Sequence, residues 1–486
     1  MKILMLNPPF KTEFGRFSRE QRSPGITKSG TIYFPVWLLY ATGVLEAAGH
    51  YVRLIDSCAY EYDKERTYEI IREFSPELTV VNTSTPSIYN DIEIAAEIKK
   101  IISNCFVVLV GTHPTALPEE TLNLNKAVDA IARREYEYTL RDLAQTLENK
   151  DDLKIVLGLT YRDKNKIISN PERPFIDNLD ELSFISEVIK KHLDVKKYFF
   201  AAAEYPMIMI FTGRGCPNRC FYCIYPQVFH GREKYRLRSA ENVVAEFEYI
   251  IENFPEVKEV GIEDDTFTAD LKRVKQICHL LIEKKINQKV KWWVNARVNL
   301  DLDAMKLMKE AGCRLLIAGF ESGNQQVLNG MKKGIKVNQS FAFVKNSQKA
   351  GLLVHGCFMV GNPGETAATM RETLNFAKKL NTDTAQFFPL MVYPGAEAYF
   401  WAKKNNYITT SDFSQWITEE GLHNCVISTD GLTSQDLVDF CNKARKEYYL
   451  RPRYIVGKMR QMVLEPNERK RIIMSAKKFF RYLVKR

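Results

Sequence analysis

The chain has 486 residues, too many for one ordinary core and enough for two or three domains. Hydrophobic residues make up 45% and charged residues 26%, which excludes a disordered or low-complexity chain. No stretch approaches about twenty uninterrupted apolar residues, which excludes a membrane-spanning helix. The net charge of +10 is placed at one end. Arg451–Arg486 carries 12 Lys+Arg against 2 Asp+Glu, leaving 57 against 57 before it, so no chain-wide affinity for nucleic acid is expected.

The first stretch, "MKILMLNPP", reads as a buried strand. Its apolar run breaks at a Pro pair and lacks a signal peptide's cleavage site, which predicts a cytoplasmic protein. "WLLYATGVLEAAGH" has helical spacing and stops at Gly49. "YVRLIDS", "LTVVNTST", "CFVVLVGTHP" and "AVDAIARRE" read as further strands, with the helix "NDIEIAAEIKKII" between two of them. Residues 1–145 are therefore expected to form an α/β domain around a parallel, doubly wound sheet. Ligands of such sheets sit at the carboxyl ends of the strands, here Asn7-Pro8-Pro9, Asp56-Ser57, Thr83-Ser84-Thr85 and Gly111-Thr112-His113. Residues 146–205 read as a connector with a hairpin, "IVLGLTYRDKNKIISN". From 206 to 400 six strands are expected, at 207–213, 257–265, 290–297, 313–320, 352–361 and 384–392. They alternate with helices as a partial (βα)6 barrel. Residues 401–486 form a C-terminal helical region. Its last segment puts Ile472, Ile473, Ala476, Phe479, Phe480, Leu483 and Val484 on one stripe with Lys and Arg opposite.

"GRGCPNRCFYC" places Cys216, Cys220 and Cys223 within eight residues, just after the first barrel strand. Cytosolic thiols stay reduced, so such a group points to metal or redox chemistry. A disulfide leaves one thiol over, and zinc wants a fourth ligand from a second group, which is absent. Three thiolates on one tight loop suit a 4Fe-4S cluster with one iron free of protein ligand. The other seven cysteines are scattered in apolar contexts and read as core.

The spacing Cys216-x3-Cys220-Phe221-Tyr222-Cys223 resembles the signature of radical S-adenosylmethionine (SAM) enzymes. The resemblance implies that SAM chelates the free iron and is cleaved to a 5′-deoxyadenosyl radical, with Tyr222 against the adenine. "GIEDDTFTAD" resembles the second-strand segment, where Asp264 and Asp265 face SAM's ammonium group or the substrate, or else cap the next helix. "WVNARVN" places Arg297 where the family contacts SAM's carboxylate. "GFESGNQQVLNGMKKG" is similar to the fourth-strand segment, with Glu321 and Ser322 near the ribose and amino acid moiety. "MVGNPGET" and "VYPGAEAY" resemble later turns, the second with Ala396 where Thr is usual.

Upstream, the order of domains resembles radical SAM enzymes with an N-terminal cobalamin-binding domain of flavodoxin-like fold. The resemblance implies that Thr83, Ser84, Thr85, Gly111, Thr112 and His113 cradle cobalamin. The Asp-x-His-x-x-Gly motif is absent, so no histidine ligand to cobalt is expected from His113. The expected activity is methyl transfer or rearrangement at an unactivated carbon, with a flavodoxin- or ferredoxin-type reductant. "YPQVFHGREKYRLRSAENVVAE" is similar to hopanoid-biosynthesis members and leans toward a lipid-linked rather than another small-molecule substrate. The basic tail then implies peripheral contact with the inner membrane face. The alternatives are a radical SAM enzyme without functional cobalamin, and an iron–sulfur electron carrier or redox sensor.

Overall fold

The computed structural model describes residues 1–20, 22–232, 234–465, 468–474 and 476–477. The N-terminal unit is built on seven strands. β1 (Lys2–Asn7) is followed by α1 (Val36–Ala47), β2 (Tyr51–Asp56), α2 (Lys64–Phe74), β3 (Leu78–Asn82), α3 (Ile88–Ile101), β4 (Phe106–Val110), β5 (Ala130–Ala132) and α4 (Glu137–Asn149). The sheet order is β2-β1-β3-β4-β5, all parallel, which is the expected doubly wound arrangement. The hairpin in the connector, β6 (Leu159–Asp163) and β7 (Lys166–Ser169), continues this sheet in antiparallel pairing. The sheet therefore runs past residue 145. Strands β3 and β4 are apolar almost throughout because helices cover both faces.

After α5 (Ile185–His192) the second sheet begins with β8 (Met207–Ile210). It continues through α6 (Ala240–Asn253), β9 (Glu259–Ile262), α7 (Leu271–Glu283), β10 (Lys291–Ala296), α8 (Leu302–Glu310) and β11 (Cys313–Glu321). It ends with α9 (Val337–Ala350), β12 (Leu353–Val360), α10 (Ala367–Leu380) and β13 (Thr384–Pro389). The six strands pair in chain order and all in parallel, so each expected strand is present and the barrel is open between β8 and β13.

The C-terminal region holds α11 (Glu397–Lys404), α12 (Ser434–Tyr449) and α13 (Pro452–Leu464). Between α11 and α12 an irregular segment crosses back to the loop after β1. Ile26 N donates to Gly421 O at 2.7 Å, and His423 Nε2 lies 2.6 Å from Ser23 O. Both segments border the gap between the two sheets. Among the described residues no helix is long and apolar enough to cross a membrane. Of the tail stripe, Ile472 is buried while Ile473 and Ala476 are exposed; Phe479, Phe480, Leu483 and Val484 lie outside the described residues.

Candidate active site

The cysteine loop leaves β8 through Gly213, Arg214 and Gly215. Gly215 has φ +82°, and a Cβ there would meet Lys234 O at 2.2 Å, so only glycine passes this point. Asp264, fully buried, accepts from Thr212 N (2.6 Å), Thr212 Oγ1 (2.6 Å) and Gly213 N (3.1 Å). It fastens the start of the loop and does not face the mouth. Asp265 takes no part in this; it lies 4.0 Å from His230 Nε2, and its charge adds to the burial that raises the Cys216 thiol. Cys216 and Cys223 are half-buried and Cys220 is buried. Asn218 Nδ2 donates to Cys216 Sγ at 3.2 Å.

Gln227 closes the loop. Its Nε2 donates to the carbonyls of Cys220 (3.2 Å), Phe221 (3.0 Å) and Cys223 (2.7 Å), while its Oε1 accepts from Glu397 N at 2.8 Å. One amide thus gathers three carbonyls of the loop and fixes its turn. A hydrogen bond from Cys223 holds the Cys220 thiol below the usual thiol range, with Lys333 and Arg297 acting in the same sense. Among the described residues no three His, Cys, Asp or Glu side chains converge on a single ion. Three thiols on one loop are the donor set of a 4Fe-4S cluster with one iron left to another ligand.

Beside the loop stands a polar set from three strand ends. Tyr222 Oη donates to Glu321 Oε1 (3.0 Å), and Lys333 Nζ donates to both Glu321 Oε1 (2.7 Å) and Tyr222 Oη (3.0 Å). Arg297 Nη2 donates to Lys333 O at 2.6 Å. Glu321 has φ +60° at a register shift in β11, a costly conformation for a residue with a side chain. Gly319 makes room for it, since a Cβ there would lie 2.3 Å from Glu321 Oε1. Glu321 Oε2 is buried and without a partner, so this carboxylate retains an acceptor for a polar ligand. Ser322 turns away, to Thr373 Oγ1 (3.0 Å) and Asn324 N (3.1 Å).

Across the gap, the ends of β3 and β4 are locked together. Gly111 has φ +126°, and a Cβ there would meet Thr83 O at 2.2 Å. Thr83 Oγ1 donates to Asp91 Oδ2 (2.6 Å), and Ser84 caps the turn with Ser87. His113 is buried, 3.2 Å from Thr85 Oγ1 and edge-on to Phe413; desolvation lowers its pKa to about 3. It is held neutral by burial and packs between Thr85 and Phe413. A cavity between the two sheets is lined by Thr85 and Thr112 from one side, Ile224 and Tyr225 from the other, and Arg22 and Tyr393. A second, lined by Glu20, Asn82, Thr83, Gly111, Thr112 and Tyr136, lies over the strand ends of the first sheet. Tyr136 Oη is buried there without a partner. The hydroxylated loop residues and the unpartnered Tyr136 hydroxyl offer hydrogen-bonding groups to a polar cofactor.

Sequence reasoning did not single out Lys333, Gln227, Glu263, Arg22 or Glu20. Lys333 was visible only as part of "MKKG". Glu263 carries a buried unpartnered oxygen and is paired with Arg22, from the loop after β1. Glu20, from the same loop, accepts from Asn82 Nδ2 at 2.8 Å. It keeps some exposed surface, yet its carboxyl lies deep between the sheets, and burial pushes its pKa to about 8. Its contribution to stability is complete below the ordinary carboxylate pKa and is lost as pH rises toward 8. Glu20→Gln is therefore expected to flatten the fall in melting temperature between about pH 5 and 8; identical profiles for the two proteins would contradict the assignment.

A partial parallel barrel with three cysteines after its first strand, facing a doubly wound sheet across a polar gap, is the architecture of a radical enzyme with a second cofactor-binding domain. Residues 210–377 match the Radical SAM superfamily and residues 22–144 the B12 binding domain. An uncharacterized methyltransferase of Pyrococcus horikoshii is 32% identical over 457 residues, covering 94% of each chain. Anaerobic magnesium-protoporphyrin IX monomethyl ester cyclase of Cereibacter sphaeroides is 24% identical, over 86% of this chain and 67% of that one. Among solved structures, the radical SAM methyltransferase TsrM from Kitasatospora setae, with cobalamin and a [4Fe-4S] cluster bound, shares the fold. Its TM-score is 0.65 at 19% identity, covering 84% of this chain and 79% of that one. The cobalamin-dependent radical enzyme OxsB gives a TM-score of 0.64 at 18% identity, covering 92% of this chain and 61% of that one. The chain belongs to the radical SAM enzymes that carry a B12-binding domain.

Proposed function

We propose that the protein is a cobalamin-dependent radical SAM methyltransferase that modifies an unactivated carbon. Its cofactors are a 4Fe-4S cluster, SAM and cobalamin. The reading divides the chain into a cobalamin unit (1–145), a connector (146–205), a barrel (206–400) and a C-terminal region (401–486). It is carried by one observation: Ile224 and Tyr225, which directly follow Cys223, share a cavity with Thr85 and Thr112 of the cobalamin-type loops.

When bound, the cluster supplies the electron that cleaves SAM, and cobalamin carries the methyl group. Cys216, Cys220 and Cys223 are the cluster ligands of this reading. Tyr222, Arg297, Lys333 and Glu321 meet the polar groups of SAM, with Glu321 Oε2 still able to accept; Asp265 lies near the Cys216 thiol. Thr83, Thr85, Gly111 and Thr112 line the cobalamin side, with Ser84 and His113 shaping the loops behind them. The loop after β1 and the irregular segment before α12 border the site and exclude water from the reactive centre.

The substrate is a small molecule or a lipid-linked one. The other partners are a flavodoxin- or ferredoxin-type reductant and a membrane surface met by the C-terminal region.

The test is anaerobic reconstitution with methyl-labelled SAM and a reductant. Labelled methylcobalamin, S-adenosylhomocysteine and 5′-deoxyadenosine are expected together. The triple variant Cys216→Ala, Cys220→Ala, Cys223→Ala is expected to be colourless and to form no 5′-deoxyadenosine. No label on cobalamin overturns methyl transfer, and no 5′-deoxyadenosine from the brown protein overturns the radical half.

A further inference from the structure

Among the described residues, α13 is held to the barrel along one side. Tyr454 Oη donates to Asp383 O (2.9 Å), Lys458 Nζ pairs with Asp383 Oδ1 (3.3 Å), and Gln461 bonds Lys458 on the next turn. Asp383 immediately precedes β13, so the helix is fastened to the edge strand of the open barrel. The other side carries Ile455, Val456, Met459 and Val463, at 44%, 64%, 57% and 73% exposure. Positions 455, 456, 459 and 463 fall within about a third of a helical turn of one another, so they form a single stripe. Leu464, Ile473 and Met474 are exposed nearby in sequence.

An apolar stripe of this kind on a fixed helix needs an occupant. Charge identifies it. Arg453 and Arg460 flank the stripe on one edge, and neither has an ion pair among the described residues. Lys458 lies on the opposite edge. The whole excess of positive charge in the chain, 12 Lys+Arg against 2 Asp+Glu, falls in Arg451–Arg486. A second copy of this surface would bring like charges together, whereas an anionic bilayer satisfies both features at once. The apolar side chains enter the boundary between headgroups and acyl chains, and the arginines reach lipid phosphates.

We propose that the outward face of α13 is a docking surface for an anionic lipid bilayer. This deepens the membrane-facing reading of the C-terminal region and is independent of the chemistry at the cysteine loop. The test uses the full-length reconstituted protein and vesicles of phosphatidylcholine, with or without phosphatidylglycerol. Sedimentation with the anionic vesicles is expected, weakening with salt, and little or none with pure phosphatidylcholine. Val456→Ser/Met459→Ser/Val463→Ser is expected to lower vesicle affinity at least about tenfold while leaving 5′-deoxyadenosine formation unchanged. Arg453→Gln/Arg460→Gln is expected to lower affinity and reduce its salt dependence.

Absence of vesicle binding overturns the proposal. So does undiminished binding of the serine variant, which would assign the contact to the tail charge alone. A concentration-dependent dimer abolished by the serine variant would assign the face to a second copy and also overturn it. Failure of SAM cleavage with vesicle binding intact would instead strike only the catalytic reading.

Discussion

Arg214→Ala is expected to destabilise the protein by about 3–5 kcal/mol, the usual cost of breaking a buried ion pair on one side. Arg214 lies two residues before Cys216, and its guanidinium is buried between the two sheets. It meets Glu137 Oε1 at 2.7 Å and Glu135 Oε2 at 3.2 Å, and stacks over Trp37 (5.1 Å) and Tyr40 (4.8 Å) of α1. Arg236 Nη1 also donates to Glu135 Oε2 (2.8 Å), and His230 Nδ1 lies 2.7 Å from Glu135 Oε1. Burial raises the Glu135 carboxyl, but Arg214, Arg236 and His230 outweigh it and hold the group well below the usual carboxylate range.

Both glutamates come from the B12-binding side, and the arginines and His230 from the cysteine-loop side. Loss of Arg214 therefore leaves two enclosed carboxylates with less compensation exactly where the halves meet. The measurement is a melting curve of the reconstituted protein, set in a cycle with Glu137→Ala and the double variant. The double variant should lose less than the sum of the singles, because Glu137 is then no longer left enclosed without Arg214. Additive losses, or an Arg214→Ala protein as stable as the parent, would remove this contact from the account. A second readout is magnetic: weaker spin coupling between reduced cluster and cob(II)alamin in the variant is expected if the contact fixes their separation.

Lys333→Met is the second large effect. The Lys333 ammonium is buried and donates to Glu321 and to Tyr222 of the cysteine loop. Burial lowers its pKa, yet the Glu321 carboxylate beside it raises it further, so it stays charged. Methionine keeps the volume and removes the cation, leaving Glu321 enclosed without its counter-charge. Loss of a hydrogen bond to a charged group costs about 1.5–3 kcal/mol, or roughly ten- to a hundredfold in affinity. SAM binding, measured by calorimetry on the cluster-loaded protein, is expected to weaken by that factor. Cluster content should be unchanged, because Gln227 and not Lys333 holds the loop carbonyls. Unaltered SAM affinity would show that the Tyr222–Glu321–Lys333 set does not meet the cofactor.

What was legible in the sequence was local. Apolar strands alternating with amphipathic helices gave both parallel sheets and all six barrel strands, because burial on both faces writes itself into composition over a few residues. The cysteine loop was legible for the same reason: its three thiols and Tyr222 lie within eight residues. The sequence also placed Arg297 and Glu321 at strand ends. What it left open was orientation. Asp264 and Asp265 are neighbours, yet one is consumed fastening Thr212 and Gly213 and the other lies beside His230. Glu321 and Ser322 part in the same way.

Only the tertiary structure joined residues distant in the chain. Glu135 meets Arg236 from 101 residues away, Arg22 meets Glu263 from 241, and Ser23 meets His423 from 400. Such pairs leave no periodic trace, since each member is one charged or polar residue in an ordinary loop. Their pairing is fixed by where two sheets come to rest against each other. The sequence by itself determined the two folds and the thiolate loop. The packing of one sheet on the other decided which carboxylates are spent on structure and which remain open to a ligand, because desolvation penalises every buried polar group that finds no partner.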